Sequence, residues 1–161
     1  MVPLTEVREL AGGLSHSLAL LENGAVVGWG SNAEGQIGIP EGLTGVTTIA
    51  AGANHSLALL SDGGVVAWGD NSQGQSDVPV GLSEVMELAA GENHSLALQA
   101  DGTVVAWGEN FFGELDVPSD LDNVVSLAAG NGFSLALLGD GRVRGWGRND
   151  EGQLDLSLIH I

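Results

Sequence analysis

An all-β protein built from repeated small sheets is the fold class that this sequence predicts, on three observations. Tryptophans lie 39 residues apart, at Trp29, Trp68, Trp107 and Trp146. The 161-residue chain contains 26 glycines, which leave no 3.6-residue apolar period for a helix. Short apolar runs rich in β-branched residues flank Asp-Gly pairs, as in antiparallel hairpins. A period of this length indicates a repeat architecture in which each unit covers its neighbour.

Each unit is predicted to be a four-stranded antiparallel meander, as the third unit shows. Its runs VMELAAG, HSLALQ and VVAWG are predicted strands, and ELDVP is a predicted fourth strand that ends at Pro118. Both faces of such a sheet are apolar, so both must be covered. Stacking around a common axis covers them and predicts the blades of a β-propeller. A helical array conflicts with the composition, and a long open solenoid conflicts with the hairpins.

The period also predicts the divisions of the chain. They are the tail of a preceding repeat at 1–6, blade 1 at 7–45, blade 2 at 46–84, blade 3 at 85–123, a truncated blade 4 at 124–155, and a tail at 156–161. The last six residues, LSLIHI, match one translated frame of the mosaic-end adapter used in transposase-based sequencing libraries. We therefore expect a non-native tail there, and a genuine apolar C-terminal strand is the alternative.

Charge and composition limit the partners. The formal net charge is −17, from 21 acidic and 4 basic residues, so nucleic acid and anionic membranes are not expected to bind. A protein partner with basic patches is expected instead. The chain has no cysteine, which fits either a reducing compartment or a secreted protein held by packing. No signal peptide is visible in the opening MVPLTEV, and no apolar stretch is long enough to span a bilayer.

The repeat resembles that of the regulator of chromosome condensation family. The phrases AAGENHSLAL, DGTVVAWGEN and NSQGQ are similar to its patterns G-x-x-H-S-x-x-L, G-x-V-x-x-W-G and N-x-x-G-Q, in all four units. The short unit ending in Val-Pro most resembles bacterial members, including the propeller-type secreted inhibitors of β-lactamase. This resemblance favours an extracellular or cell-surface location over a cytoplasmic one.

The resemblance also implies a propeller that usually has seven blades, whereas four units are present. The chain is therefore expected to be an open arc or a fragment of a longer protein. Two chains that complete an eight-bladed ring are an alternative, and four blades closed on themselves would be strained. An open arc exposes blade edges, through which self-association is expected.

Residues that repeat with the period are predicted to be structural. Each tryptophan is expected to pack between blades. His16, His55 and His94 are expected to hydrogen-bond to the neighbouring blade, and Phe133 takes the fourth position. A metal site or a His-Ser catalytic pair is disfavoured, because adjacent strand residues point to opposite faces and the histidines lie in different units. The turn aspartates are predicted to form turns rather than to bind calcium: Asp62, Asp101 and Asp140.

Loops that differ between units are the predicted place of function. In a meander, the first and third connections lie on one rim, and the third connections read SNAEG, DNSQG, ENFFG and RNDEG. Of the adjacent Phe111 and Phe112, at least one is expected to face water as an interface anchor, and the alternative is that both fold over the blade edge. The predicted protein-binding residues are Glu34, Asp70, Gln73, Glu92, Glu109, Phe111, Phe112, Asp150 and Glu151.

A non-catalytic protein–protein interaction module is the leading functional prediction. The sequence offers no paired general acid and base, no phosphate-binding glycine loop before a helix, and no metal-ligand spacing, so catalytic, cofactor and metal residues are not expected. The resemblance adds two alternatives. One is a secreted inhibitor of a hydrolase such as β-lactamase, and the other, by fold analogy alone, is a guanine-nucleotide exchange factor-like regulator of a GTPase.

Overall fold

Residues 5–156 are described by the computed structural model of the chain, and they contain twelve β-strands and no α-helix. The strands are β1 Val7–Gly12, β2 His16–Leu21, β3 Val26–Gly30, β4 Val46–Ala51, β5 His55–Leu60, β6 Val65–Gly69, β7 Val85–Ala90, β8 His94–Gln99, β9 Val104–Gly108, β10 Val124–Ala129, β11 Phe133–Leu138 and β12 Val143–Gly147. Each group of three consecutive strands forms one antiparallel sheet, with the middle strand in the centre. The all-β prediction is confirmed.

Each blade has three assigned strands, so the predicted fourth strand is wrong. In blade 3 the segment ELDVP forms turns, in which the Asp116 amide donates to the Gly113 carbonyl and the Val117 amide donates to the Leu115 carbonyl. These local hydrogen bonds use the donors that a ladder would need, and Pro118 has none to offer. The segment therefore lies against the blade as a loop.

Consecutive blades are held together by apolar clusters that each contain the same pattern. Between blades 1 and 2, Leu18 and Leu20 of β2 pack against Val46, Ile49 and Trp68 of the second blade. Equivalent clusters join blade 2 to blade 3 and blade 3 to blade 4. None of the clusters formed by residues 5–156 joins blade 4 back to blade 1. The four blades therefore form an open arc.

A common axis runs along the inner edge of this arc. The first connections of successive blades are hydrogen-bonded to one another, from Leu14 N to Ala53 O (3.2 Å), from Ala53 N to Glu92 O (3.1 Å) and from Glu92 N to Gly130 O (3.1 Å). A shallow groove of about 280 Å³ beside them is lined by equivalent glycines and alanines from all four blades. This shared inner edge is that of a propeller.

The predictions for the two ends fall largely outside the described residues, which exclude 1–4 and 157–161. Of the predicted non-native tail, only Leu156 is described, and its amide donates to the Leu154 carbonyl. Over the described part of the chain, no helix has the length and apolar character needed to cross a bilayer.

Candidate protein-binding rim

The strand register brings the first connection and the long third connection of each blade to the same end of the sheet. His16 pairs with Gly30, and Gly12 pairs with Ser17. The amide of Ser31, where the long connection begins, donates to the carbonyl of Ser15 in the first connection. We call this end of the arc the loop rim: it comprises 13–15 and 31–37 of blade 1 and the equivalent residues of the other blades.

Repeated polar side chains fix the backbone of each long connection. In blade 2, Asn71 Oδ1 accepts the Ser76 amide at 3.0 Å, and Gln75 Oε1 accepts the Gln73 amide at 2.9 Å. The equivalent asparagines of the other blades make the same bond to the residue five positions later: Asn32, Asn110 and Asn149. Because the frame is constant, the rim presents tips of variable sequence in a fixed conformation.

A second set of hydrogen bonds ties each loop to the following blade. The carbonyl of Gln36 accepts the Ser56 hydroxyl at 2.8 Å and the Trp68 indole N–H at 3.0 Å. The carbonyls of Gln75 and Glu114 accept the equivalent pairs in the next two blades. The serines are fully buried, so each loop is tied to the next blade by hydrogen bonds that solvent does not reach.

The histidines belong to this network. His16 Nε2 lies 3.1 Å from Ser56 Oγ, and the equivalent pairs His55–Ser95 and His94–Ser134 are 3.0 Å apart. Each serine hydroxyl donates to a carbonyl, so its oxygen accepts, and the imidazole must carry its proton on Nε2. Loss of solvation on burial lowers the pKa of His55 and His94 to about 4 and also lowers that of His16, so all three are neutral at pH 7.

The tip of blade 3 carries the largest aromatic feature of the rim. Phe111 is 80% exposed and Phe112 is 41% exposed, and their rings meet edge to face with centroids 5.1 Å apart. The Phe112 ring leans on blade 4, where it covers Gly132 so closely that an added β-carbon would lie 2.8 Å from its Cδ2 atom. Phe112 is thus half anchored, whereas Phe111 projects into solvent.

Two contacts hold this aromatic pair in place. The Phe112 amide donates to Glu114 Oε2 at 2.7 Å, and the Arg148 guanidinium carbon lies 5.1 Å from the Phe112 ring centroid. Arg148 is held in turn by Asp150, whose Oδ2 accepts from its Nε at 3.0 Å. The pair is therefore preorganised by neighbours from two blades.

The remaining predicted rim residues fall into two groups. Glu34, Gln73, Asp150 and Glu151 are exposed at the loop tips, whereas Asp70, Glu92 and Glu109 are half-buried. Asp70 accepts the Ser72 amide at 2.9 Å, and Glu109 accepts from Asn93 Nδ2 at 3.3 Å, so these two carboxylates support loops as well as carrying charge. Glu92 lies at the axial groove rather than at a tip.

Two rim residues were missed by sequence reasoning. Arg148 occupies, in the fourth unit, the place that Asp70 and Glu109 hold in the second and third, and this reversal of charge was the available signal. Leu14 is 73% exposed in the first connection of blade 1, where the other units have Ala53, Glu92 and Asn131. The available signal was the polar Glu92 and Asn131 at the equivalent positions, which mark this connection as exposed.

The opposite rim carries the turn aspartates, and each serves its own turn. Asp62 accepts the Gly64 amide, Asp101 the Thr103 amide and Asp140 the Arg142 amide, at 2.9, 2.9 and 3.0 Å. These bonds lower the pKa of Asp101 and Asp140. Within residues 5–156 there is no group of three or more His, Cys, Asp or Glu side chains placed to hold a metal ion.

Comparison with known proteins gives the same repeat. The profile of the regulator of chromosome condensation (RCC1) repeat matches at 7–36, 46–75, 87–114 and 124–153. No curated protein matched the chain.

Solved structures give the same fold. Yeast RCC1 (Prp20), solved bound to Kap60, superposes with a TM-score of 0.79 at 27% identity, over 92% of this chain and 45% of that one. Human WBSCR16 superposes with a TM-score of 0.78 at 25% identity, over 91% of this chain and 50% of that one. The ectodomain of the receptor kinase CR4 of Physcomitrella patens gives 0.75 and 26%, over 88% and 39%.

The chain thus spans half or less of the length of these three structures. Its four profile matches cover most of its residues, and its blades share the blade stacking of RCC1 proteins. The chain belongs to the regulator of chromosome condensation (RCC1) repeat family.

Proposed function

We propose that this chain is a non-catalytic protein-binding module that captures a basic protein surface through its loop rim. The observation that carries the proposal is the Phe111–Phe112 pair, which is exposed, preorganised and placed at the tip of a rigid loop. Aromatic side chains that stand out from a fixed frame are typical interface anchors, since binding buries much apolar area at little entropic cost.

The surrounding charge defines the chemistry of the partner. Carboxylates stand on the tip of blade 4, next to the aromatic pair, and on the tip of blade 1, two blades away, and the chain carries a formal charge of −17. A partner with lysine or arginine around an apolar patch would satisfy both parts of the rim. Prp20p from Saccharomyces cerevisiae, 26% identical over 90% of this chain, was solved in a study of its binding to Gsp1p and histones, and histones are basic proteins.

The test uses purified core histones as the basic probe and measures binding to the immobilised chain at several salt concentrations. We expect binding that weakens as salt rises, because surface charges are screened. The double variant Phe111→Ser/Phe112→Ser should weaken it at least about tenfold if the aromatic pair is an anchor. The control is Val80→Ser, which is fully exposed on the opposite rim.

Duplex DNA and hen lysozyme serve as further probes in the same assay. DNA should not bind, and lysozyme, a basic protein without a matching surface, should bind weakly and equally to both variants. Equal histone affinities for the wild type and the aromatic variant would contradict a docking site at this rim. Binding that is indifferent to salt would contradict the basic partner.

A hydrolase inhibitor is a second candidate, favoured by the same projecting Phe111. An exposed aromatic on a rigid loop could plug the mouth of a substrate cleft. Residual activity of a class A β-lactamase in the presence of excess chain tests this directly. Full residual activity at every concentration tried would remove the candidate.

A further inference from the structure

The outer face of blade 1 exposes apolar residues that are buried wherever they recur in the arc. Leu10 is 68% exposed and Trp29 is 46% exposed. The residues equivalent to Leu10 are between 4% and 8% exposed, and those equivalent to Trp29 between 5% and 7%: Ile49, Leu88 and Leu127, and Trp68, Trp107 and Trp146. The outer face of blade 1 is therefore the surface against which a preceding blade would pack.

The outer face of blade 4 presents the other half of the same contact. Leu137 is 40% exposed, whereas the equivalent residues of β2, β5 and β8 are no more than 5% exposed: Leu20, Leu59 and Leu98. In each internal contact, these leucines pack against the tryptophan of the following blade. Because the equivalent faces pack against each other in every internal contact, the two outer faces of the arc are complementary.

Unpaired polar groups on the two faces match as well. In the internal contacts, a loop carbonyl accepts a serine hydroxyl and an indole N–H from the next blade, as Gln36 does. On blade 1, the corresponding donors are Ser17 Oγ and Trp29 Nε1, and neither has a partner among residues 5–156. On blade 4, the corresponding acceptor is the carbonyl of Gln153, whose side chain holds its loop through the Glu151 amide as in the other blades.

We propose that blade 4 of one copy docks on blade 1 of a second copy, and that two such contacts join two chains into a closed ring of eight blades. The contact would repeat the apolar packing and the two loop-carbonyl hydrogen bonds of the three contacts that already hold the arc together, with Phe133 in place of the histidine. It is head-to-tail, so only closure prevents growth into a filament, and two arcs that close leave no face uncovered. This inference is independent of the loop rim and of the function proposed for it.

Charge sets the conditions for this association. Each chain carries a formal charge of −17, so two chains repel, while the groups named above on the two meeting faces are apolar or uncharged. Screening by salt should therefore strengthen the ring, which is the reverse of its expected effect on the loop rim. The opposite salt dependences therefore distinguish ring formation from partner binding at the loop rim.

The experiment measures the molar mass of the whole chain by size-exclusion chromatography with light scattering, from low to high salt. The expected mass is twice the 16.4 kDa of one chain. Leu10→Lys and Leu137→Glu, each at an exposed site, should separately give single chains with unchanged circular dichroism. Val80→Glu, on the opposite rim, is the control and should keep the double mass.

Mixing the two variants provides the decisive arm. A mixed ring has one unaltered contact and one that pairs Lys with Glu, so the mixture of Leu10→Lys and Leu137→Glu should regain the double mass. Single chains from the wild type at every concentration and salt, or variants that remain double, would overturn the proposal. A ladder of larger masses would show a filament and overturn closure.

A chain shortened to residue 156 should behave as the wild type. Association seen only after that shortening would show that 157–161, rather than a second copy, covers the exposed blade face.

Discussion

His55 Nε2 lies 3.0 Å from the hydroxyl oxygen of Ser95 in the next blade, and both side chains are buried. The same pair recurs 39 residues earlier and later along the chain. Each pair joins the first residue of one blade's middle strand to a serine in the middle strand of the next blade, and that serine donates to the same loop carbonyl as the Trp indole. Protonation of the imidazole would place a charge inside this contact, where little solvent can stabilise it.

We therefore predict that acid weakens the protein through these histidines. The folded pKa of His55 and of His94 is about 4, below the 6.5 of an unperturbed histidine, so the unfolded chain takes up protons first as the pH falls. The free energy of unfolding should fall between pH 6.5 and 4 and then level off. From pH 7 to pH 5 the loss should be about 2 kcal/mol for each of the two, measured by urea unfolding.

His94→Phe is the matched variant, because Phe133 occupies the equivalent position in blade 4. It removes one titrating group and should reduce the loss between pH 7 and pH 5 by about 2 kcal/mol. Glu109 lies near His94, and Asp70, His16 and His94 lie near His55, so these charges modify the pKa values but do not reverse their direction. An unchanged pH dependence in the variant would place the acid sensitivity elsewhere.

Glu114 stands where the other units have glutamine, and replacing it should stabilise the protein. Its side chain is fully buried, and Oε1 has no hydrogen-bond partner among the described residues, whereas Oε2 accepts the Phe112 amide. Glu114→Gln keeps that bond and replaces the acidic group by the neutral amide that Gln36 and Gln75 carry at the equivalent positions. We expect a gain of about 1–2 kcal/mol in the free energy of unfolding at pH 7.

Glu109→Gln is the control for this gain, because Glu109 is only half-buried and one of its oxygens is bonded to Asn93. It should change stability by less than about 0.5 kcal/mol. If Glu114→Gln instead lowers stability, the carboxylate has a partner that its neighbours in the structure do not reveal.

Glu84 adopts a left-handed backbone conformation, and glycine there should also stabilise the protein. Its φ is 52°, and the equivalent residue in the preceding unit is Gly45, with a φ of 70°. A residue with a side chain costs about 1–2 kcal/mol in this conformation. Glycine removes that cost, but it also makes the unfolded chain more flexible, and this offsets part of the gain. We expect Glu84→Gly to raise the unfolding free energy by about 0.5–1 kcal/mol in thermal or urea melts.

The same chemical change at Glu22 separates conformation from charge. Glu22 is exposed in the β2–β3 hairpin and is not among the residues with positive φ. Glu22→Gly removes the same negative charge but gains no relief of backbone strain, so it should be neutral or destabilising. Equal stabilisation by both changes would point to relief of charge repulsion alone.

The period predicted most of the architecture, because strand, turn and apolar contact all repeat with it. The Trp–carbonyl and His–Ser contacts between units follow from that repetition once the blades stack. The turn of ELDVP was not predicted, since Asp116 and Val117 read as strand while their amides are used inside the loop. The contact between Arg148 and Phe112 was missed for a different reason: it joins two loops 36 residues apart, at positions where the units differ.

Two glycines at the ends of the innermost strands should respond oppositely to alanine. A β-carbon at Gly52 would overlap the imidazole Cε1 of His55 and stand 2.5 Å from the carbonyl oxygen of Gly91 in the next blade. Neither neighbour can move without breaking the contact between blades, so Gly52→Ala should lower the free energy of unfolding by about 3 kcal/mol.

Gly12 has open space around its α-carbon, and the other units have alanine in its place: Ala51, Ala90 and Ala129. Gly12→Ala should therefore be neutral or stabilise by up to about 1 kcal/mol, since alanine loses less backbone entropy on folding. Urea melts of the two variants measure the difference, and a tolerated alanine at Gly52 would show that successive blades are not packed as tightly as their backbones indicate.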